Sequence, residues 1–342
     1  RTCYTGKWHS NGRPRDHGYD ETSGQFMGGG GKVVGAVDWR GRPVTDYTGW
    51  VFQDEAGHKF PEKGVGLTPH TSTDIADAAI DYLQRKDETK KPFFLHVNFT
   101  APHDPLLAPP GYANKYDPTK LPLPANFLPQ HPIDHGNFRG RDELLFAWPR
   151  TREETLGELA VYYAVISQLD EQIGRILKAL EKTGQADNTL VIFTSDQGLA
   201  IGSHGLRGKQ NMYEHTIGVP LVMRGPGLPA GKRIHGQVYL REIYPSVCEL
   251  AGVPIPPSVE GTSFVSLIQG KLRELHPAVY CYFRDVQRAI RTDRWKYIRY
   301  PQIEREQLFD LRHGDHGPFG RRIACKHLER AAQPAHRLAA ER

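Results

Sequence analysis

Apolar residues along the 342-residue chain follow three kinds of pattern, and each predicts a different element. Largely apolar runs occupy residues 93–99 and 190–193, each bounded by turn-forming residues. Runs of this kind predict strands buried on both faces, as in a parallel sheet. A spacing of three to four runs through residues 151–183, where Leu156, Leu159, Tyr163, Ile166, Leu169, Ile173, Ile176, Leu177 and Leu180 share one side and Gly184 stops the pattern. It predicts a long helix. A shorter helix is predicted over 73–85, capped by Thr73, with Ile75, Ala78, Ala79, Tyr82 and Leu83 on one face. The order helix, turn, strand leading into residue 190 reads as a crossover unit and hence as part of a parallel sheet.

Residues 219–223 predict another strand before the Gly225-Pro226-Gly227 turn, and 242–252 a helix. Beyond Gly270 the period drops to two. Residues 278–283, 288–292, 295–300 and 307–311 predict short antiparallel strands in a small closing subdomain. Two stretches have no clear period. The Gly-rich segment up to about residue 67 predicts a flexible surface loop. The proline-rich residues 105–149 are too long for an ordinary connection, so they are expected to form part of a substrate rim. Phe138, Arg139, Arg141 and Trp148 are the candidate contacts there, or residues that pack the loop down.

Composition narrows the function without naming it. A hydrophobic share of 38% with 24% charged residues is that of a globular chain, and no apolar stretch approaches the roughly 20 residues of a membrane helix. Arg1 is not an initiator residue, so the lack of a visible signal peptide says nothing about secretion. The net charge of +5 lies mostly past residue 311, where seven Lys or Arg meet three acids; the body is near neutral and carries no nucleic-acid stripe. Cys3, Cys248, Cys281 and Cys325 are scattered without a CxxC pair, which argues against a disulfide framework and a structural zinc.

Candidate chemistry gathers where the apolar runs end. Ser195, Asp196, Gln197 and Gly198 follow the second run, and in open α/β sheets ligands bind at that edge. A carboxylate beside an amide oxygen suits a hard divalent cation, although the same four residues could simply make a turn. Lys209 lies in a loop with Gly205 and Gly208, flexible enough to fold back over that spot. His103 ends the first run between two prolines. Lys7 and His9 project the same way if the start of the chain is extended. His204 and His215 are close enough in sequence to contribute, or are ordinary loop histidines. The four glycines 28–31 before Lys32 lack the Ser or Thr of a phosphate loop, since Val33 stands there. No Gly-x-Ser-x-Gly elbow occurs.

The segments TGKWH, KPFFLHVNFTAPHDP, YYAVISQLDEQIGRIL, NTLVIFTSDQG and GKQNMYEHTIGVPLV occur in this order. Together they resemble the type I sulfatases of the alkaline-phosphatase-like superfamily, over about residues 5–311. The resemblance implies an α/β fold, a mixed but mostly parallel sheet flanked by helices, with a small C-terminal antiparallel subdomain. It divides the chain into a catalytic domain (1–270), that subdomain (271–311) and an atypical basic tail (312–342). It implies hydrolysis of sulfate monoesters, of carbohydrates above all, in the periplasm or outside the cell, with neither nucleic acid nor membrane as partner. Asp196 and Gln197 match a calcium-binding pair, with Mg²⁺ the less favoured ion. Lys7 and Lys209 match lysines that contact sulfate, His9 the histidine beside the nucleophile, and His103 the donor of a proton to the leaving oxygen.

Gln197 departs from the usual Asn or His; its oxygen still suits a hard cation but makes a poor zinc ligand. The family's nucleophile, a formylglycine, and its first metal-binding aspartates have no counterpart in residues 1–342, so this stretch alone is expected to be inactive. The alternatives are a phosphate or phosphonate monoester hydrolase of the same superfamily, or a sulfated-glycan-binding protein without activity.

Overall fold

In a computed structural model the described residues are 1–31, 35–85 and 91–313. Residues 314–342, which hold nearly all of the expected basic tail, and Lys32 and Val33 of the glycine run lie outside them. The chain divides into two compact units, Arg1–Pro122 with Leu156–Thr189, and Leu123–Thr155 with Leu190–Arg342.

The first unit is built on four strands, β1 (Thr2–Lys7), β2 (Glu21–Gly28), β3 (Trp50–Gln53) and β4 (Phe94–Asn98), in the order β3-β2-β1-β4. β1 runs parallel to both β2 and β4, while β2 and β3 are antiparallel, so the sheet is mixed. The helix α1 (Thr71–Gln84) buries Ile75, Ala78, Ala79, Tyr82 and Leu83, the face its periodicity predicts. It starts two residues before Thr73, after His70, and Thr73 does not cap it. The Thr73 hydroxyl instead accepts a hydrogen bond from Gln168 of α2 (Arg152–Lys182), 3.1 Å away. Arg175 of α2 reaches Asp77 at 2.6 Å, and Val161 and Val165 close over Leu106.

In the second unit β5 (Val191–Thr194) pairs antiparallel with β6 (Leu221–Arg224), with Thr194 opposite Leu221. The short helices α3 (Glu214–Ile217), α4 (Ile243–Leu250) and α5 (Val265–Ile268) follow the same half of the chain. An antiparallel sheet of β7 (Ala278–Phe283), β8 (Gln287–Thr292), β9 (Trp295–Tyr300) and β10 (Arg305–Asp310) has the order β10-β9-β8-β7. Ala289, Ile298, Tyr300 and Phe309 of this sheet bury against Leu206, Met212 and Tyr213.

Three expectations change. The strand at residue 190 is not a buried parallel strand, because its partner is the antiparallel β6 and Phe193 remains 40% exposed. The run at 93–99 forms an edge strand with Phe94 47% exposed. An apolar run reports strand propensity and not the hand or number of its partners. The glycine-rich segment before residue 67 also contains two strands, β2 and β3, whose Gln25, Phe26, Val51 and Phe52 are buried. Among the described residues no helix is long and apolar enough to cross a membrane.

Candidate active site

The first unit delivers Lys7, His9 and His103 to one aromatic cluster. Lys7 ends β1, directly after Gly6, whose φ is +93° and where an added Cβ would lie 2.2 Å from the Asn98 carbonyl oxygen. Only glycine lets β1 approach β4 this closely before the lysine. The Asn98 amide donates to the Lys7 carbonyl at 3.0 Å and to the Tyr4 hydroxyl at 2.8 Å, and that hydroxyl in turn donates to the Lys7 carbonyl. Burial pushes the Tyr4 phenol up to about 12, which keeps it a donor.

The Lys7 ammonium lies 5.3 Å from the centre of the Tyr47 ring. His103 meets the same ring edge-on at 5.1 Å, and Trp50 meets it at 4.9 Å. His9, itself exposed, packs against Trp50 at 5.3 Å. Lys7 and His9 therefore lie against two rings that pack on each other, with His9 past the end of β1. Tyr47 is the residue that sequence patterning does not reveal. It is 3% exposed and sits at φ +55°, a left-handed conformation that a bulky L-residue adopts only at a cost of order 1–3 kcal/mol.

His103 Nδ1 donates to the Asp104 backbone carbonyl at 2.7 Å. The Asp46 carboxylate lies 3.9 Å from Nε2 and that of Asp104 3.6 Å from Nδ1. The ligand atoms of Asp46, His103 and Asp104 all fall within 4.8 Å of one another, so the three have the chemistry to hold an ion.

The second unit carries Asp196, Gln197 and Lys209. Asp196 and Gln197 follow β5 and are exposed. The Gln197 amide N–H donates to Asp196 Oδ1 at 2.9 Å, leaving Oδ2 and the Gln197 side-chain oxygen as hard donors, and the pair fits an oxygen-loving divalent ion. Gly198 is compelled, because an added Cβ would stand 1.9 Å from the His215 carbonyl oxygen. The chain then folds back on itself, with Ala200 N–H bonded to the Gly208 carbonyl at 3.1 Å and Gly202 N–H to that of Leu206 at 2.7 Å. The backbone just before Lys209 is thus brought back to Ala200, three residues past the Asp-Gln pair.

That loop is not flexible: residues 200–208 are all buried. Its ties come from residues with no signal in the sequence. Glu143 accepts the backbone N–H groups of Arg207 and Gly208 at 2.9 and 2.8 Å and pairs with Arg150 at 2.6 Å. His204 stacks on Tyr213 at 3.8 Å and is a core residue, while His215 lies 5.8 Å from the same ring. Of the expected rim contacts, Phe138 and Trp148 pack on each other at 5.2 Å and against the core, and Arg141 pairs with Asp142 at 2.8 Å.

The Sulfatase family model matches residues 1–253, and the C-terminal model of N-sulphoglucosamine sulphohydrolase matches residues 202–318. The chain belongs to the sulfatase family. It is 32% identical over 289 residues to an arylsulfatase of Clostridium perfringens, covering 78% of this chain and 59% of that protein. A choline-sulfatase of Rhizobium meliloti is 31% identical over 250 residues, covering 69% of this chain and 48% of that protein. The chain thus spans about half the length of the curated relatives it matches. Among solved structures, BT4656, in complex with its substrate D-glucosamine-2-N,6-O-disulfate, superimposes with a TM-score of 0.78 at 21% identity, over 100% of this chain and 79% of that one. A phosphonate monoester hydrolase of Silicibacter pomeroyi gives 0.67 at 22% identity, over 84% and 64%. These structures share the fold. Membership of the sulfatase family implies a divalent metal.

Proposed function

We propose that the protein hydrolyses sulfate monoesters of carbohydrates. The observation that carries this reading is the arrangement around Tyr47: an ammonium, Lys7, and a histidine, His103, against the same ring, with His103 Nδ1 donating to the Asp104 carbonyl. Cleaving a sulfate ester loads charge onto the departing oxygen, so a proton donor there lowers the barrier for alkoxide leaving groups. In this reading His103 gives that proton from Nε2, with Asp46 and the Asp104 carbonyl orienting the ring. Lys7 and Lys209 hold sulfate oxygens, and His9 stands at the nucleophile. Asp196 and Gln197 would hold a calcium ion, which supplies positive charge to the sulfate oxygens. An ion at Asp46, His103 and Asp104 would take the nitrogen that the acid role needs, so the hard oxygen pair is the preferred place for it.

Carbohydrate sulfates are preferred because the BT4656 superposition extends over the whole chain. Membership of the family supports a location in the periplasm or outside the cell. The test is release of inorganic sulfate by the full-length protein from 6-O-sulfated glucosamine, choline sulfate and 4-nitrophenyl sulfate. Turnover of the sugar with the highest kcat/KM among the natural-type esters is expected; preference for choline sulfate would move the substrate class. The phosphonate monoester hydrolase fold likeness supports a second reading, phosphonate or phosphate ester cleavage.

A further inference from the structure

We infer that Asp142 and Glu143 are positioning residues for Lys209, so that the segment 142–143, more than sixty residues upstream, sets how tightly the second lysine holds sulfate. This rests on the reading of Lys209 as a sulfate clamp. Lysine side chains are flexible, and an ammonium ordered before substrate arrives holds an anion with less lost freedom.

Two adjacent carboxylates supply the order, one through the backbone and one through the charge. Glu143 is 1% exposed, with Oε2 bonded to the Arg207 N–H at 2.9 Å and Oε1 to the Gly208 N–H at 2.8 Å, the two peptide groups immediately before Lys209. Its own place is fixed by Arg150, which donates to its carboxylate at 2.6 Å and to its carbonyl at 2.9 Å and lies 3.4 Å over the Trp148 ring. The fit leaves no slack: a Cβ added at Gly208 would stand 2.8 Å from Glu143 Oε1 and 3.0 Å from Asp142 Cβ.

Asp142, 4% exposed, then addresses the side chain. Its Oδ2 lies 3.9 Å from Lys209 Nζ and accepts from Gln210 Nε2 at 2.9 Å, while Oδ1 accepts from Arg141 at 2.8 Å. At that distance the carboxylate holds the ammonium in place by charge and not through a hydrogen bond of its own. The arrangement also explains why two acidic residues sit buried beside an anion-binding lysine: Arg150, Arg141 and backbone amides already balance them.

The test is a double-mutant cycle on inorganic sulfate, read as its inhibition constant against 4-nitrophenyl sulfate and as direct calorimetric binding in the full-length protein. Lys209→Ala should weaken sulfate by roughly 10- to 150-fold and Asp142→Asn by roughly 5- to 50-fold, and the double variant by little more than Lys209→Ala alone, since contacting residues do not add. Asp142→Glu should restore part of the loss. Glu143→Gln should raise the inhibition constant in the same way; if that variant fails to fold, the Asp142 cycle decides alone. Additive losses, or full sulfate affinity in Asp142→Asn, would overturn the inference while leaving the hydrolase reading standing. A wild-type protein that neither binds sulfate nor turns over the aryl ester would sink that reading and this inference with it.

Discussion

The two regions that carry the proposed chemistry are built by opposite means. Around Tyr47, Lys7, His9 and His103 are held by ring packing and by the ends of β1 and β4. At 196–209 the pair proposed to hold a metal is exposed, and the lysine is held by a buried loop tied through charged hydrogen bonds to Glu143 and Arg150. Packing places the His103 ring and a hydrogen bond from its Nδ1 to a backbone carbonyl orients it, which suits proton transfer. Charge-assisted bonds to the backbone fix a loop, which suits a clamp. The difference predicts that losses at His103 appear in the proton-transfer step, and losses at Lys209, Asp196 and Gln197 in anion and metal affinity.

The largest effect should come from His103→Ala. Esters with poor leaving groups should lose on the order of 10²–10⁴-fold in kcat, and activated aryl sulfates much less. A leaving-group series measured on both proteins checks this; equal losses across the series would remove His103 from the acid role.

A pH effect sharpens the comparison from the second unit. Burial pushes His131 down to about 4, against the opposing hydrogen bond to the His204 carbonyl, and His135 down to about 3, with His131 and Arg150 adding repulsion. Neither ring nitrogen of His135 has a hydrogen-bond partner among the described residues. The unfolded chain binds these protons near pH 6.5 and the native one does not. The stability they protect is therefore full above about pH 6.5 and falls as the pH drops toward 4, by on the order of a few kcal/mol. Thermal melts between pH 7 and 4.5 test this, and the double variant His131→Gln, His135→Gln should flatten the slope.

Lys209→Ala should cost about 1.5–3 kcal/mol of sulfate binding, the worth of a charge-assisted bond, with a smaller change in melting temperature. Full activity in that variant would exclude the clamp. The smallest effect expected is Asp196→Asn, which keeps an oxygen and loses a charge. It should lower calcium affinity on the order of tenfold, with activity partly recovered in excess calcium. Unchanged metal content would place the ion elsewhere, with Asp46, His103 and Asp104 the next group to test.

Legibility in the sequence followed how local each cause was. β7 to β10 lie within two residues of their alternating patterns, and α2 within one of its periodicity, because one buried face writes its own period. β2 was hidden because Gly24, Gly28 and polar Gln25 break that period, and its burial is decided by pairing with β1. The candidate site residues, from Lys7 to Lys209, were chosen by type and place. What holds them could not be chosen that way. Tyr47 owes its place to a left-handed backbone between β2 and β3, and the ties of the Lys209 loop come from Glu143, 64 and 65 positions away from their partners. A glycine-flanked lysine reads as mobile until the carboxylate that fixes its neighbours is seen.

The most direct test of the account is kcat/KM of the full-length, calcium-loaded protein for 4-nitrophenyl sulfate against 4-nitrophenyl phosphate and phenylphosphonate esters. An oxygen-held calcium, two lysines and one histidine acid predict that sulfate is preferred by at least roughly 100-fold, a difference of about 2.7 kcal/mol in transition-state binding. Preference for the phosphate or phosphonate ester would contradict it.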